Sequence, residues 1–255
     1  MKVFILCGGY GTRLDYEGKI KAKPMVEIGQ KPILIHIIEN FSKQNFNEFV
    51  LCLGHKSETI IDYFLKEKKK NIQIIEKKKK NIYLKFFFKK KIFYINLINT
   101  GVKSGTGGRL MIANKILSLN EDIIMTYGDG LSNINIKKLK KFHYENKAEV
   151  TLTAVRPKQR YGIIGIKNNI INFFDNSNKK INTYINGGFF VISKNAIKKI
   201  KKKSTYWEKE PMTYFIKKKK LFAFKHNGFW KSLDTLKDKN DFNLMIKNKN
   251  RPWER

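Results

Sequence analysis

The segment 8–14, Gly-Gly-Tyr-Gly-Thr-Arg-Leu, directly follows an apolar run, Val3–Cys7, that predicts a short buried strand. Glycines at this spacing let the backbone turn sharply and bring its N–H groups close to a bulky anion, because no Cβ atoms obstruct the approach. Arg13 supplies a planar, permanently charged fork for phosphate oxygens, and Lys23 adds a mobile positive charge. A tight turn with two solvated cations would explain a lone glycine cluster. The glycines, the Thr-Arg pair and the Lys-Pro pair at 23–24 together favour a phosphate-binding site.

This glycine segment differs from the two commonest phosphate-binding loops. A P-loop would close with Gly-Lys-Ser or Gly-Lys-Thr, and the dinucleotide fingerprint would need a further glycine after Gly11. The segment has neither feature. It does leave the carboxyl end of a strand, which is where open α/β sheets bind ligands.

A second glycine-rich stretch, 100–109, reads Thr-Gly-Val-Lys-Ser-Gly-Thr-Gly-Gly-Arg and precedes a helix predicted over about 110–117. The amino terminus of a helix behind a flexible loop is a ready anion site, and Ser104 and Arg109 have the donors to use it. An ordinary surface turn has the same composition. The prediction of a second phosphate contact therefore depends on the first loop.

Asp129 lies between two glycines, directly after a strand predicted over 122–127. A carboxylate at the tip of a buried strand, with glycines that leave room for a ligand, is well placed to hold Mg²⁺ against phosphates. A simple Asp-Gly turn is the alternative, and the neighbouring phosphate site favours the metal. Asp234 is predicted to cap the final helix, a role compatible with a metal contact through its other carboxylate oxygen.

The order of the predicted elements is typical of a parallel, doubly wound α/β sheet. Lysine-rich residues 66–98 interrupt this order and predict a β-hairpin insertion. In the strand predicted over 183–192, the paired glycines after Asn186 allow close approach of a ligand or of another backbone. The remaining predicted elements are helices over 32–41, 57–65, 137–146, 195–202 and 210–218, and strands over 49–53, 149–155, 162–167 and 170–174.

Length and composition predict one domain over residues 1–255, since 255 residues with 42% hydrophobic content suffice for one sizeable core. No apolar stretch reaches the length of a membrane span, and the chain starts with a strand instead of a signal peptide, so we expect a cytoplasmic protein without a membrane partner. Cys7 and Cys52 lie in apolar runs and are interpreted as small buried hydrophobic residues. The four histidines show no metal-ligand spacing.

The net charge of +32 is typical of proteins that bind nucleic acid or an acidic membrane. However, the lysines accompany an excess of Ile, Asn, Phe and Tyr, all with AT-rich codons, while arginine is scarce. Codon bias explains this whole profile, whereas nucleic-acid binding would explain only the charge. The mixture of lysines and aromatic residues over 85–94 could stack on single-stranded nucleic acid, but a half-exposed strand predicts the same alternation. We therefore expect no specific nucleic-acid partner.

Taken together, these motifs resemble those of the sugar-1-phosphate nucleotidyltransferases, most closely the glucose-1-phosphate cytidylyltransferases. The resemblance spans nearly the whole chain; the Thr-Gly-Gly-Arg at 106–109 and the Trp-Glu-Lys-Glu-Pro at 207–211 indicate the cytidylyltransferase branch. It implies a Rossmann-like α/β nucleotidyltransferase fold, with a mixed, mainly parallel central sheet flanked by helices, a small β insertion, and a sugar-binding half over about 150–255. The implied reaction joins CTP and α-D-glucose 1-phosphate into CDP-glucose and pyrophosphate, as a supply for dideoxysugars of lipopolysaccharide O-antigen and other surface polysaccharides. The family also suggests a homo-oligomer.

The resemblance assigns a role to each matching residue, with Arg13, Lys23 and Asp129 as the catalytic group. The base and ribose would be lined by Leu6, Cys7, Gly8, Gly9 and Tyr10, and the leaving pyrophosphate would be held by Gly11, Thr12 and Arg13. Lys23 would bridge toward the α-phosphate, and the nucleotide would be contacted by Ser104, Arg109 and Gly128. Mg²⁺ would be carried by Asp129 and Asp234, and the sugar pocket would be shaped by Gly162, Asn186, Gly187 and Gly188.

One departure from the family pattern concerns charge. Where the family usually has Glu-Lys-Pro, with the lysine on the sugar phosphate, this chain has Asp175-Asn176-Ser177. Losing one such contact can cost a few kcal/mol of transition-state stabilisation. Lys179 or Lys180 could substitute locally. A lesser departure is Ala22, where the family tends to have proline.

Two alternatives remain open from the sequence. The chain could use another nucleotide or sugar phosphate, because base choice depends on a few hydrogen bonds. It could also be a binding protein that has lost catalysis and uses its basic face for nucleic acid or acidic lipid, with steeply salt-dependent binding.

Overall fold

The computed structural model describes residues 1–10, 20–156, 163–167, 170–175 and 184–254. Most strands of this described part form one sheet. They are β1 (Val3–Cys7), β4 (Glu48–Leu53), β5 (Ile72–Lys78), β6 (Asn81–Phe88), β7 (Lys91–Asn99), β8 (Ile123–Tyr127), β10 (Val150–Val155), β13 (Ile185–Ile192) and β14 (Leu221–His226). Three two-stranded ladders lie outside it: β2 (Glu27–Ile28) with β3 (Lys31–Pro32), β9 (Gly130–Ser132) with β15 (Trp230–Ser232), and β11 (Ile163–Lys167) with β12 (Ile170–Asp175).

Helices cover the sheet. They are α1 (Ile33–Lys43), α2 (Ser57–Asp62), α3 (Thr106–Leu117), α4 (Ile136–Glu145), α5 (Lys194–Lys198), α6 (Glu210–Lys217) and α7 (Leu236–Lys247). A π-helical turn, Tyr63–Glu67, continues α2, and short 3-10 turns lie at Lys23–Met25, Lys69–Asn71 and Pro252–Glu254. Across the described ranges, every helix is too short or too polar to cross a membrane.

The large sheet has the strand order β14-β10-β13-β8-β1-β4-β7-β6-β5. Within these nine described strands, β6 and β13 run opposite to the other seven. The prediction of a mixed, mainly parallel sheet is confirmed. The parallel strands β8, β1, β4 and β7 are adjacent, so their carboxyl ends meet at one edge of the sheet.

Two hydrophobic clusters explain why β1 has an apolar residue at every position. Val3 and Ile5 pack in one cluster together with the apolar face of α1, while Phe4 and Leu6 pack in the other with Leu110 of α3. All of β1 is buried. Because successive side chains of a strand point to opposite faces, a strand covered on both faces has no polar side.

Residues 66–98 contain three strands, and the pairs β5–β6 and β6–β7 are antiparallel hairpins, as the sequence predicted. The strand β7 lies beside β4 in the parallel part of the sheet, and β6 and β5 extend the sheet from it to its edge. Phe86 and Phe93 are buried in the core of this extension. The aromatic residues of this region therefore include core residues, as the interpretation of a half-exposed strand requires.

Cys7 and Cys52 are free and buried. Burial raises the pKa of both thiols, that of Cys52 to about 12. Both side chains are protonated at neutral pH, which confirms the interpretation of two small hydrophobic residues.

Helix α3 begins at Thr106, four residues earlier than predicted, so that Gly107 and Gly108 lie inside its first turn. The reason is a neighbouring segment, 203–207, which packs directly against the start of the helix. A Cβ atom on Gly108 would lie 1.8 Å from the carbonyl oxygen of Lys203. The glycines thus allow two backbone segments to come into contact. Because glycine disfavours helices, the local sequence did not predict the first turn of α3.

Substituting Gly108 by alanine tests this contact. Although alanine favours a helix by about 1 kcal/mol over glycine, the new Cβ must displace segment 203–207, and we expect the free energy of unfolding to fall by about 2–3 kcal/mol. Urea unfolding followed by circular dichroism measures the change. The matched control is Gly130→Ala, whose Cβ would have no atom within 4 Å and should change stability by less than about 0.5 kcal/mol. Equal losses in the two variants would contradict the account.

Candidate functional site

A cleft opens at the carboxyl ends of the central parallel strands. It collects residues from the first glycine loop, the 3-10 turn at Lys23–Met25, the start of α3 and the residues after β8. The cleft is lined by Leu6, Cys7, Gly8, Gly9, Tyr10, Lys23, Pro24, Ser104, Thr106, Arg109, Tyr127, Gly128, Asp129 and Tyr206. The structure therefore brings the two glycine-rich stretches and the first predicted metal ligand together.

The Lys23 ammonium lies between two carboxylates in this cleft. Its Nζ donates to Oδ2 of Asp129 at 2.6 Å and to Oδ1 of Asp234 at 2.7 Å. The two carboxylate oxygens are therefore no farther apart than the sum of these distances. Burial opposes the charge of Lys23, but the two carboxylates outweigh it and raise the pKa of the ammonium above its ordinary value. The site holds a positive charge between two acidic side chains that are 105 positions apart in sequence.

A short antiparallel ladder explains how Asp234 reaches Asp129. In the pairing of β9 with β15, Gly130 is opposite Ser232. The N–H of Leu233 donates to the carbonyl oxygen of Asp129 at 2.8 Å, and the hydroxyl of Ser232 donates to Oδ2 of Asp234 at 2.6 Å. Backbone pairing thus fixes the two aspartates side by side.

The sequence predicted that Asp234 caps the final helix, and this prediction is wrong. Thr235 is the N-cap of α7, and its hydroxyl and the carboxylate of Asp238 form a capping box. Asp238 also accepts from the backbone N–H of Asp234 at 3.2 Å. The helix start is satisfied by the next two polar residues, so the carboxylate of Asp234 faces Lys23 instead.

The same carboxylates fit a magnesium ion. Both already converge on one cation, the Lys23 ammonium, and carboxylate oxygens are the ligands that Mg²⁺ prefers. Among the described residues no group of three or more His, Cys, Asp or Glu side chains could hold a metal. Two protein carboxylates suffice for Mg²⁺ when phosphate oxygens and waters complete its shell, as is usual for this ion.

Arg109 is a buried structural clamp. Its Nη1 donates to the carbonyl oxygens of Leu53 at 3.0 Å and Gly101 at 2.8 Å, and to the hydroxyl of Thr100 at 2.8 Å. Its Nη2 donates to the carbonyl oxygens of Gly8 at 2.8 Å and Val102 at 3.2 Å. One guanidinium thereby ties together the ends of β1, β4 and β7.

The arginine also explains why two positions must be glycine. A Cβ atom on Gly8 would lie 2.2 Å from Cζ of Arg109, and one on Gly54 would lie 2.2 Å from its Nη1. Burial lowers the pKa of Arg109, although the guanidinium keeps its proton at neutral pH. The sequence assigned Arg109 to a nucleotide. In the structure its Nη atoms bind the protein backbone, and a nucleotide contact by Arg109 stays a prediction.

The start of α3 differs in the same way from an open anion site. The N–H of Gly105 donates to the carbonyl oxygen of Lys203 at 2.9 Å, and that of Gly108 donates to Thr205 at 3.0 Å. The hydroxyl of Ser104, a predicted nucleotide contact, donates to the carbonyl oxygen of Thr100 at 2.6 Å. Backbone carbonyls thus accept from these donors, and a nucleotide contact by Ser104 stays a prediction.

One network joins the cleft to the second half of the chain. Glu208 accepts from the hydroxyl of Thr106 at 2.6 Å and from the phenol of Tyr127. The amide of Asn186 donates to the phenol oxygen of Tyr127 at 3.4 Å. Burial and Glu208 raise the pKa of Tyr127, so the phenol stays protonated and acts as a donor. The sequence missed the roles of Thr106, Tyr127 and Glu208. The family resemblance of 207–211 was the available signal.

The paired glycines of β13 make room for other protein groups. Gly188 has a φ of +78°, and a Cβ there would lie 2.6 Å from the ring of Tyr127. A Cβ on Gly187 would lie 2.7 Å from Val155. Close approach is the reason for both glycines, and Asn186 remains beside the cleft through Tyr127.

Several predicted residues lie outside the described ranges. They are Gly11, Thr12, Arg13 and Gly162, together with Asn176, Ser177, Lys179 and Lys180.

Comparison with known proteins agrees with this architecture. A family model described as nucleotidyl transferase matches residues 2–246. The chain is 36% identical over 254 residues to a glucose-1-phosphate cytidylyltransferase of Salmonella typhimurium, covering 100% of this chain and 99% of that protein. It is 33% identical over 256 residues to a probable glucose-1-phosphate cytidylyltransferase of Bacillus subtilis, with the same coverage. A solved structure of a putative glucose-1-phosphate thymidylyltransferase from Bacillus anthracis superposes with a TM-score of 0.68 at 16% identity, covering 97% of this chain and 96% of that one. The predicted nucleotidyltransferase fold is confirmed.

Replacing Arg109 by lysine tests the clamp. Lysine keeps the charge but lacks the planar fork, so several buried acceptors lose their donors and we expect the free energy of unfolding to fall by about 2–4 kcal/mol. Urea unfolding measures this loss in the absence of any nucleotide. The control is Lys115→Ala, an exposed position of the same helix, which should change stability by less than about 0.5 kcal/mol. Unchanged stability in Arg109→Lys would show that the arginine serves the ligand alone.

Proposed function

We propose that this chain transfers a cytidylyl group from CTP to α-D-glucose 1-phosphate. The premise is that it belongs to the nucleotidyl transferase family and, within that family, to the glucose-1-phosphate cytidylyltransferases. A phosphate oxygen of the sugar phosphate attacks the α-phosphorus of CTP, the bond to the β-phosphate breaks, and CDP-glucose and pyrophosphate leave. The observation that carries the proposal is the Lys23 ammonium between Asp129 and Asp234, at the edge of the sheet where the glycine loop begins.

The protein contributes mainly position and charge to such a reaction, because phosphoryl transfer needs little covalent help. The half-buried Lys23 ammonium would neutralise charge on the α-phosphate. The exposed Gly9 leaves its backbone open to a phosphate, since a Cβ there would have no atom within 4 Å. Gly11, Thr12 and Arg13 would hold the pyrophosphate, and Leu6 and Cys7 with Tyr10 would line the base and ribose.

Asp129 and Asp234 would hold Mg²⁺, which would screen the negative charge of the phosphates when bound. A lysine that bridges both carboxylates keeps this acidic pair neutralised before substrate arrives. Without that charge the two carboxylates would repel each other at this distance. Lys23 and the metal are thus two cations that would neutralise the same pair of carboxylates.

The sugar phosphate would lie toward β13, on the side of Asn186 and Gly187. Support comes from the hydrogen bond of Asn186 to Tyr127, which places the amide beside the cleft. Gly162 would complete this pocket. We further propose that the enzyme works in the cytoplasm as a homo-oligomer, and that its CDP-glucose supplies dideoxysugars of lipopolysaccharide O-antigen and other surface polysaccharides.

The reaction is tested by pyrophosphate release from CTP, glucose 1-phosphate and Mg²⁺. We expect turnover that stops when a chelator removes Mg²⁺ and that falls at least about a hundredfold in Asp129→Asn, because a preorganised charge is lost. Asp62→Asn, an exposed carboxylate of α2, is the matched control and should keep full activity. Turnover with a different nucleotide or sugar phosphate, but not with this pair, would refute the assigned substrates. Full activity of Asp129→Asn would refute the assigned site.

Asn176 provides a second test, because the family pattern has lysine there. If the missing cation weakens binding of the sugar phosphate, Asn176→Lys should raise kcat/KM for glucose 1-phosphate by about tenfold or more and leave the KM for CTP unchanged. Steady-state kinetics with each substrate varied in turn measures both. Asn178→Lys adds the same charge two positions away and serves as the control. No gain in Asn176→Lys would instead favour Lys179 or Lys180 as the local substitute.

A further inference from the structure

Tyr206 is an exposed aromatic residue at the cleft that the assigned site residues do not include. It lines the cleft with 53% of its surface exposed, next to Trp207, which is fully buried. An aromatic ring that is half exposed beside a ligand-sized cleft has apolar surface to offer a ligand.

The backbone that carries Tyr206 is fixed on both sides. The carbonyl oxygen of Thr205 accepts from the N–H of Gly108 at 3.0 Å. On the other side, the N–H of Trp207 donates to the hydroxyl of Thr106 at 2.8 Å. A ligand that contacts Tyr206 therefore meets a preordered backbone and loses little entropy in ordering it.

A second exposed ring lines the same cleft. Tyr10, with 55% of its surface exposed, packs on His55 with the ring centroids 5.0 Å apart. Tyr10, Tyr206 and Arg109 all line this cleft. The cleft thus presents two exposed aromatic rings together with Leu6, Cys7 and Gly8, residues that the family resemblance assigns to the base and ribose.

One face of the Tyr206 ring is already occupied. The Nζ of Lys209 lies 5.2 Å from its centroid in a cation–π contact. More than half of the residue's surface nevertheless stays exposed, and Tyr206 lines the cleft. A flat, uncharged group suits this position better than a phosphate, since Tyr206 offers a ring and one hydroxyl.

We infer that Tyr206 is a substrate-binding residue that stacks on the base of the bound nucleotide. The inference rests on the proposed function, which supplies the nucleotide. Stacking uses the π-face that every base has, so it strengthens binding without selecting the base. Substitutions that remove the Tyr206 ring should therefore weaken the binding of CTP and of UTP by the same factor. The binding of inorganic tripolyphosphate, which has no base, should not change.

The test compares Tyr206→Ala, Tyr206→Phe and Tyr214→Ala in the full chain. Loss of the ring in Tyr206→Ala should raise the KM for CTP by about five- to a hundredfold with kcat nearly unchanged. Tyr206→Phe keeps the ring and should remain within about twofold of the wild type. Tyr214 is an exposed tyrosine of α6 outside the cleft lining, and Tyr214→Ala should change nothing.

Equilibrium binding separates failure of this inference from failure of the proposed function. Direct titration of each variant with CTP, UTP and tripolyphosphate needs no turnover. If the wild type binds CTP but does not react with glucose 1-phosphate, the function is wrong and the stacking contact can still be measured. The inference is overturned if Tyr206→Ala binds CTP as tightly as the wild type. It is also overturned if this variant loses as much affinity for tripolyphosphate as for CTP, because Tyr206 would then act on the phosphates.

Discussion

The buried guanidinium of Arg109 is the contact on which the geometry of the cleft depends. Three strands, β1, β4 and β7, end at the same edge of the sheet, and backbone carbonyl groups lie at or just after the end of each. Arg109 donates to four of these carbonyl oxygens and to the hydroxyl of Thr100, at 2.8–3.2 Å. A buried charge without such partners would cost several kcal/mol. Here the charge is distributed over four backbone carbonyls and one hydroxyl, and the carbonyl of Gly8, the first residue of the glycine segment, is held by Arg109.

Charge balance is the second organising feature. The chain carries a net charge of +32, yet the cleft contains a pair of carboxylates held together by one lysine. Excess lysine on the surface therefore says little about the chemistry of the site. What decides the chemistry is a local arrangement, in which the ladder of β9 with β15 places Asp234 against Asp129 and the 3-10 turn presents Lys23 to both.

Two short motifs that are about a hundred residues apart act as one structural unit. The Thr-Gly-Gly-Arg start of α3 packs against segment 203–207, and Thr106 and Tyr127 both donate to Glu208. The glycines are needed because backbone touches backbone there. Tyr127 then connects this unit to Asn186 on β13, so the wall of the cleft and the start of β13 share a hydrogen-bond network.

The sequence by itself determined the sheet class, most strands and helices, and the glycine-rich turns at Gly8 and Asp129 that line the cleft, because hydrophobic periodicity and glycine-rich turns are local properties. Only the tertiary structure decided what the donors bind. Arg109 and the start of α3 donate to backbone carbonyls, and Thr235 is the N-cap of the last helix. The strand β7 lies inside the sheet, and Asp234 contacts Lys23. The physical reason is that a hydrogen-bonding group takes whichever partner the fold brings near, and those partners are distant in sequence.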